Sequence, residues 1–415
     1  MRNTRRIFLR NSALSMVGVG SAPIWLTRAL YADGAPSPRK KILVAIFQRG
    51  AADGLNVVVP HGERSYYELR PTIAVPRPSS TNREDAAIDL DGFFGLHPSL
   101  APLKPLFDQQ HLAIVDAVGS PDPTRSHFDA QDYMESGTPG VKATHDGWIN
   151  RALPKPLDAA PVSPVRAVSL GATLSRSMAG SNPAVALQSI AGFQMRDAGA
   201  AKQFQELYVE SKDPLLRAAG KETFEAVAIL QSIQKQPYTP AAGAIYPRGR
   251  FGDSLRQIAQ LIKAGVGMEV AFADIGGWDH HVNELGLRAS EGQLAVLLRE
   301  YGQALSAFWL DMGDRMADVA LVTMSEFGRT ARENGNRGTD HGHANQMFVM
   351  GGAVKGGKVY GRWPGLQPEQ LYEGRDLALT SDFRDVLGEL VARHMGNRAL
   401  TGVFPGYRPS FLGLV

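Results

Sequence analysis

The sequence predicts an α/β fold in which a doubly wound, mostly parallel sheet is sandwiched by helices. Two patterns predict it: short continuous apolar runs typical of strands buried on both faces, and longer amphipathic stretches between several of them. Strands that alternate with helices in this way are typical of parallel sheets. The predicted strands are 41–47, 112–118, 165–170, 270–273, 319–324 and 347–350. The predicted helices are 128–135, 215–234, 253–263, 291–316 and 382–395.

The first residues have the pattern of an export signal. The pair Arg5 and Arg6 precedes an apolar stretch over residues 12–26, which is shorter than the roughly 20 residues of a transmembrane helix. Paired arginines mark the twin-arginine pathway, which moves folded proteins. We therefore expect residues 1–32 to be a twin-arginine signal peptide, either cleaved near Ala32 or retained as an anchor. The translocase is then a partner during export, and the protein is periplasmic.

The charge of the remaining chain argues against a nucleic-acid partner. The whole chain is formally +3, and five arginines but no acidic residues lie in residues 1–32. Removing those five positive charges leaves −2 for residues 33–415. A near-neutral surface does not attract polyanions, so we expect no nucleic-acid partner.

Composition is that of a globular protein, and residues 33–415 are long enough for two domains, although α/β domains often exceed the average length. Hydrophobic residues make up 44% of the chain and charged residues 20%, as in proteins with a large core. Pro- and Ala-rich segments at 153–165 and 236–249 bracket a mostly helical stretch. We therefore expect residues 33–415 to form one α/β domain, with a helical cap or insertion at about 175–250. The chain has no cysteine, so any metal must be held by oxygen and nitrogen ligands.

Polar residues follow the predicted strands at the points where those strands end. Asp53 follows the first strand, His127 the second and Glu326 the fifth. In open α/β sheets the binding site lies beyond the carboxyl ends of the strands. The sequence therefore predicts a functional site at this edge of the sheet.

Two further segments each combine a carboxylate with imidazoles. One reads Gly-Gly-Trp-Asp-His-His and holds Asp279 and His281, and the other reads Thr-Asp-His-Gly-His and holds Asp340 and His341. Glycines allow close backbone approach, so each segment can bring its ligands to one cation. A surface turn with solvated histidines is the alternative for the first segment. Such ligand sets suit zinc or manganese better than calcium or magnesium, and we expect one or two ions.

Three other segments offer reactive groups. Asp53 supplies a carboxylate from a glycine-containing loop, and Glu326 either ligates metal or pairs with Arg329. Ser126 and His127 open a helix, whose N-terminus favours anionic groups such as a phosphoryl oxygen. Ser126 is either a nucleophile with His127 as its base, or an N-cap serine beside a packed histidine.

Taken together, these segments resemble the domain of unknown function 1501 family. The resemblance rests on the twin-arginine leader, SHFDAQDYMESG, GGWD-x-H, SEFGRT, TDHGH and a following MGG strand. It covers essentially all of residues 33–415. The family is placed in the alkaline phosphatase and sulfatase superfamily, whose members hold two divalent metals beside a Ser, Thr or Cys nucleophile. The resemblance therefore implies an alkaline-phosphatase-like fold and metal-dependent hydrolysis.

The resemblance also implies roles for individual residues. Asp53 resembles the metal aspartate of the first strand, and Asp279 with His281 resembles the Asp/His pair of one metal site. His280 stands where many relatives have threonine, which makes it the weaker candidate for a ligand.

Two registers remain for the other ligands. In one, Asp340 and His341 match the Asp-His-Gly motif of the superfamily. In the other, the segment of Glu326 and Phe327 occupies that place and His341 is the final metal histidine. We prefer the second register because an apolar strand leads directly into Glu326. Phe327 then stands where relatives have a metal-binding histidine, which weakens or remodels the second metal site.

The expected nucleophile is displaced from the superfamily's position. Nucleophiles there precede the glycine that closes the helix by ten residues, and counting back from Gly137 reaches His127. Either Ser126 is shifted by one residue, or His127 acts as nucleophile or ligand, or metal-activated water attacks directly. Arg125 or Arg329 would neutralise the developing oxyanion charge.

Two functions are therefore expected. The first is an exported metal-dependent hydrolase of phosphate or sulfate esters, whose substrate would be a small-molecule or cell-envelope ester. The second is a non-catalytic, metal-binding relative that binds an envelope glycan or a partner protein, which Phe327 and the displaced nucleophile favour.

Overall fold

Twelve strands occur in the part of the chain that the computed structural model describes. That part comprises residues 40–154, 162–192, 208, 211 and 213–415, so the predicted signal peptide lies outside it. The strands are β1 (Ile42–Arg49), β2 (Val58–Val59), β3 (Ile88–Asp89), β4 (Gly95–Leu96), β5 (Leu112–Gly119), β6 (Ala167–Leu170), β7 (Val185–Leu187), β8 (Val270–Gly276), β9 (Val319–Ser325), β10 (Asn345–Gly351), β11 (Val359–Tyr360) and β12 (Ser381–Asp382).

Helices separate most of these strands. The α-helices are α1 (Gly54–Val57), α2 (Arg64–Leu69), α3 (Lys104–Asp108), α4 (His127–Ser136), α5 (Trp148–Ala152), α6 (Pro214–Gln234), α7 (Arg250–Lys263), α8 (Gln293–Met312), α9 (Phe383–Glu389) and α10 (Leu400–Val403). Short 3₁₀ helices cover Pro98–Leu103, Arg176–Met178, Gly313–Asp318 and Pro368–Gln370, and Leu390–His394 is a π-helix. No described helix is both long and apolar enough to cross a membrane.

Each predicted strand and helix is present, with differences at the ends. The helix predicted over 291–316 ends earlier because Gly313 adopts a positive φ of 50°, and the chain continues as a 3₁₀ helix. The helix predicted over 382–395 begins at Phe383 and changes into the π-helix after Glu389.

The central sheet is mixed and largely parallel. Its order is β11-β5-β10-β9-β1-β8-β6-β7, with β12 also paired to β5, and a small separate sheet has the order β2-β4-β3. Strand β1 lies between β8 and β9 and is parallel to both. Strand β10 is antiparallel to β9 and β5, because a loop without a crossover helix joins β9 to β10. The predicted α/β fold with a largely parallel sheet between helices is confirmed.

The continuous apolar runs are explained by burial on both faces of the sheet. On β1, Val44 and Ile46 pack into the layer that contains α7 and α8, whereas Leu43, Ala45 and Phe47 pack into the layer of α5, α9 and α10. Successive side chains on a strand point to opposite faces, so both faces of β1 are apolar. Burial of each large aliphatic side chain stabilises the fold by about 1.5–3 kcal/mol.

The described part of the predicted cap contains β7 and α6. Strand β7 pairs with β6 at the edge of the central sheet, and α6 buries Ile229 and Leu230 in the larger core. Residues 193–207, 209–210 and 212 of that region lie outside the described residues.

Several strand ends that bear loops meet at one edge of the sheet. Arg49 at the end of β1 pairs with Gly276 at the end of β8, and the last residue of β9, Ser325, pairs with β1 next to it. Because β10 is antiparallel, its first residue, Asn345, lies at the same edge, opposite Val118 near the end of β5. Loops from four long strands and the start of α4 therefore gather there.

Candidate metal centre

Four side chains converge at this edge, and we call them the histidine–aspartate cluster: His127, Asp279, His281 and His341. His127 is the first residue of α4, the next two follow β8, and His341 precedes β10. The Nε2 atom of His341 lies 3.0 Å from Nε2 of His127, 3.1 Å from Nε2 of His281 and 3.3 Å from Oδ1 of Asp279. Oδ1 of Asp279 is also 3.0 Å from Nε2 of His281. The candidate ligand atoms of His127, Asp279 and His341 all lie within 4.8 Å of one another, and Nε2 of His281 contacts the last two.

The outer nitrogen of each histidine contacts an oxygen acceptor. Nδ1 of His127 is 2.8 Å from Oε1 of Glu326. Nδ1 of His281 is 3.1 Å from Oδ1 of Asp340, and Nδ1 of His341 is 2.9 Å from the carbonyl oxygen of Arg125.

These outer contacts fix the protonation of the neutral rings. Carboxylates and carbonyls only accept hydrogen bonds, so Nδ1 carries the proton and the lone pair of Nε2 points into the cluster. Lone pairs at these distances repel one another, and a cation between them removes that repulsion. Histidines that bind metal through one nitrogen and donate the other to a carboxylate or carbonyl are the usual arrangement in metal sites. The residues present therefore fit a divalent metal.

The charges around the cluster support the same conclusion. Asp279, Glu326 and Asp340 contribute three negative charges, and Arg329, which contacts Asp279, contributes one positive charge. With neutral imidazoles the sum of these contacting groups is −2, which a divalent cation balances. The hydrogen bond from Glu326 raises the pKa of His127, whereas burial lowers the pKa of His341.

Glu326 lies behind His127 rather than among the converging atoms. Its fully buried carboxylate accepts hydrogen bonds from the backbone N–H of Gly50, from Nε2 of Gln131 and from the hydroxyl of Ser325, besides contacting His127. Burial alone would raise the pKa of Glu326, but the hydrogen bonds from His127 and Gln131 hold it below its usual value. Glu326 orients the histidine, and the predicted alternative of a pair with Arg329 is not found among its contacts.

Asp340 has the corresponding position behind His281. Its Oδ1 also accepts a hydrogen bond of 3.2 Å from Nδ2 of Asn334, and its side chain is exposed. The two predicted carboxylates Glu326 and Asp340 therefore contact His127 and His281 of the cluster through the outer ring nitrogens.

The structure does not bring Asp53 to the other predicted ligands. Its carboxylate is buried and forms a two-pronged ion pair with Arg70 at 2.5 and 2.9 Å. Burial alone would raise the pKa of Asp53, but Arg70 holds it below its ordinary value. Burial, followed by the neighbouring charge of Asp53, raises the pKa of Glu284. Asp53 therefore belongs to a buried network beside the site.

Both arginines predicted to stabilise an oxyanion are engaged by carboxylates. Arg125 donates to Asp376 at 2.6 Å and to Glu373 at 2.7 Å. Arg329 is buried and donates to Asp279 at 2.5 Å. The guanidinium groups hold the loops of the site together in this structure.

The start of α4 separates the roles of Ser126 and His127. The helix begins at His127, and Ser126 is the N-cap residue without a capping hydrogen bond from its side chain. The ring of His127 joins the cluster, and its role as a metal ligand stays a prediction. Gly137 ends the helix with a φ of 70°.

The remaining aromatic residues of the motifs lie around the cluster. Phe327 is buried, and its ring centre lies 5.0 Å from that of His127 and 5.1 Å from that of His341. His343 stacks on Tyr372. His280 is buried, and burial lowers its pKa to about 4. Of His280 and His281 only the second therefore belongs to the cluster, and of His341 and His343 only the first does.

Two residues that contact the site were missed by the sequence analysis. Gln131 follows His127 by four residues on α4, and this spacing places both on one helix face, which is a signal that could have found it. Arg375 donates to the backbone carbonyl of His341. It comes from a distant irregular segment that carries no recognisable motif.

Comparisons with known proteins identify a family for most of the chain. A family model described as "Protein of unknown function (DUF1501)" matches residues 109–402. No curated protein matches the chain significantly. Among solved structures, the chain is similar to the PH0037 protein from Pyrococcus horikoshii, with 12% identity, 77% of this chain and 88% of that chain covered, and a TM-score of 0.31.

Proposed function

The chain belongs to the DUF1501 family of proteins of unknown function, and we propose that it is an exported, metal-dependent hydrolase of phosphate or sulfate esters. The observation that carries the proposal is the convergence of three imidazole nitrogens and the carboxylate of Asp279 on one another. The proposal includes the alkaline-phosphatase-like form of the α/β fold and the periplasmic location expected from the sequence.

The donor set is suited to zinc or manganese. Imidazole nitrogens with one carboxylate are common ligands of both ions. Such an ion, when bound, acts as a Lewis acid and makes water a better nucleophile near neutral pH. His127, His281, His341 and Asp279 would hold it. Since Asp53 is already neutralised by Arg70, we expect one ion per chain.

The protein's own groups would prepare the reaction around that ion. Glu326 accepts from Nδ1 of His127 and keeps that ring in one orientation. The N-terminus of α4 lies at His127, and its positive dipole end favours the anionic part of an ester. Phe327 packs against the rings of His127 and His341. Its buried side chain would limit the access of bulk water to that side of the two rings.

A second candidate function is non-catalytic binding of an envelope glycan or a partner protein. It is favoured by the contacts of Arg125 and Arg329, because both guanidinium groups are already paired with carboxylates. A phosphate or sulfate group would have to compete with those carboxylates for either arginine.

Metal analysis combined with hydrolysis assays tests the proposal. The protein should be purified without added metal, analysed for bound ions, and assayed with 4-nitrophenyl phosphate and 4-nitrophenyl sulfate. We expect about one equivalent of zinc or manganese and hydrolysis of at least one ester class. One equivalent of metal without hydrolysis across a panel of both classes would favour the binding function. The absence of metal binding, even after zinc or manganese is added, would contradict both.

A further inference from the structure

Arg329 is a buried cation at the centre of the loops that carry the histidine–aspartate cluster. Its side chain is fully shielded from solvent, and its guanidinium donates to five oxygen acceptors. They are the carbonyls of Ala51 at 2.7 Å, Gly50 at 2.9 Å, Thr339 at 3.1 Å and Trp278 at 3.1 Å, and Oδ1 of Asp279 at 2.5 Å. Nη2 donates to three of these oxygens, whereas Nε and Nη1 each donate to one. A guanidinium has five N–H groups, so these five oxygens leave one N–H of Nη1 unused.

These five acceptors belong to three different loops. Gly50 and Ala51 follow β1, Trp278 and Asp279 follow β8, and Thr339 precedes the segment that enters β10. Arg329 itself follows β9 in the same loop as Thr339, so one side chain joins the three loops that follow β1, β8 and β9. Nη1 of Arg329 also lies 3.4 Å from Nε2 of His281, which brings the guanidinium to a second member of the cluster.

The loops that Arg329 joins are packed closely. A Cβ atom on Gly50, which has a φ of 118°, would lie 2.9 Å from the backbone nitrogen of Asp279. A Cβ atom on Gly342 would lie 2.3 Å from the backbone carbonyl of Arg329. The glycines permit this approach, and the guanidinium supplies the hydrogen bonds that hold it.

We propose that Arg329 is the positioning residue of the metal centre, which fixes Asp279 and the adjoining loops in the arrangement that binds the ion. This inference rests on the metal site of the proposed function but not on its hydrolytic activity. It replaces the expectation that Arg329 neutralises an oxyanion. The side chain orients a ligand by a charge-assisted hydrogen bond, and outer partners of this kind typically change metal affinity 10–100-fold.

Arg70 provides a matched control within the same chain. It is equally buried, pairs with Asp53 through two hydrogen bonds, and donates to the carbonyls of Thr330 and Ala331. Its hydrogen bonds reach none of the four cluster residues. Loss of Arg70 should therefore reduce stability, as loss of Arg329 does, without acting on the metal ligands directly.

The test compares Arg329→Lys, Arg329→Met and Arg70→Lys with the wild type. Zinc affinity is measured by competition with a chromophoric chelator, and Co²⁺ binding by its visible absorption spectrum. Both are measured at a temperature at which circular dichroism shows each variant to be folded. We expect 10–100-fold weaker zinc binding and an altered Co²⁺ spectrum for both Arg329 variants. Arg70→Lys should retain the affinity and spectrum of the wild type.

Other outcomes overturn the inference. Wild-type affinity and spectrum in both Arg329 variants would show that Arg329 does not position the ligands, and an equal loss in Arg70→Lys would show a general effect of instability. Arg329→Lys decides the question if Arg329→Met is unfolded. A wild-type protein that binds no metal overturns the inference together with the proposed function. If the variants bind metal as expected here but the wild type hydrolyses no ester, only the proposed hydrolase activity is overturned.

Discussion

Among single residues, His341 is a histidine that contacts all three other members of the histidine–aspartate cluster. Its Nε2 atom lies within 3.3 Å of the other three members, and its Nδ1 atom is fixed by the carbonyl of Arg125. His343, two residues later, is buried against Tyr372 and outside the cluster. The two histidines are therefore a natural pair for comparison.

We predict that His341→Ala loses the bound metal and that His343→Ala keeps it. The first change removes a metal-binding nitrogen whose ring is oriented by the carbonyl of Arg125. The second removes a ring that stacks on Tyr372 outside the cluster. Metal content per folded chain, measured by elemental analysis after desalting, checks this. Equal metal content in the two variants would show that His341 is not a ligand.

The displaced nucleophile gives a second prediction at this scale. If the protein hydrolyses esters, Ser126→Ala should lower kcat only a few-fold, because the hydroxyl makes no capping hydrogen bond and metal-activated water attacks directly. His127→Ala should be far more damaging because it removes a cluster nitrogen. Steady-state kinetics of both variants checks the order. A phosphoserine trapped at position 126 with a slow substrate would contradict it.

At the scale of elements, β5 carries a bulge beside the site. The pairing of β10 shifts between Asn345 and Met347, and Ala117 has a φ of 49°. Beside the bulge Asp116 is buried; its Oδ1 accepts a hydrogen bond of 3.0 Å from Nε2 of Gln346, and its Oδ2 has no hydrogen-bond partner among the described residues. Burial raises the pKa of Asp116 to about 7.

This burial makes part of the stability dependent on pH. The pKa of Asp116 is about 7 in the folded chain against 3.8 for an ordinary aspartate, so the folded state binds the proton more tightly. The tighter proton binding of Asp116 adds to the free energy of unfolding below about pH 4, and this stabilisation is lost as the pH rises toward 7. We predict that Asp116→Asn becomes more stable relative to the wild type as the pH rises from 4 to 7, and that the difference is constant above that. Urea unfolding at several pH values checks this, and a difference independent of pH would contradict it.

The longer strands and helices could be predicted because their buried positions form recognisable apolar patterns in the sequence. A strand such as β1 is apolar from Ile42 to Phe47 since both faces are covered. The strands of two or three residues, such as β2 and β11, have no such pattern and were not predicted. The antiparallel direction of β10 follows from the missing helix after β9, although the apolar run by itself gives no direction.

Candidate site residues could be predicted where they lie in loops beside the ends of strands. Asp279, His281 and His341 converge because the ends of β8, β9 and β10 meet at one edge. Asp53 also follows a strand, yet its position is decided by Arg70, and nothing in the sequence pairs the two. The outer contacts of Glu326 likewise depend on a helix 195 residues away in the chain, through Gln131.

At the scale of the whole molecule, the cluster connects separate segments of the fold. A metal that binds only the folded state stabilises it by about 2.7 kcal/mol at a free concentration of 100 Kd. We predict that zinc or manganese raises the Tm of the metal-depleted protein. The double variant of Asp279→Ala with His281→Ala should lose about one equivalent of metal and show no such rise. Differential scanning calorimetry with and without metal checks this, and an equal rise in the variant would assign the effect to another site.

Export is the other property of the whole chain that can be tested. Because the twin-arginine route depends on the arginine pair, we predict that Arg5→Lys combined with Arg6→Lys leaves the precursor in the cytoplasm. Cell fractionation and immunoblotting of the double variant against the wild type check this. Normal periplasmic amounts of the double variant would contradict the proposed route.

The wide spacing of the cluster along the chain sets the order of events during synthesis. His127 and His341 are separated by 214 residues, so the nascent chain has no complete set of ligands until β9 and the loop beyond it have left the ribosome. A chain that then folds in the cytoplasm and crosses the membrane folded would meet its first metal ions in the cytoplasm. Metal selectivity in cells depends strongly on which ions are available. The compartment in which the last strands fold would then decide which metal the protein carries.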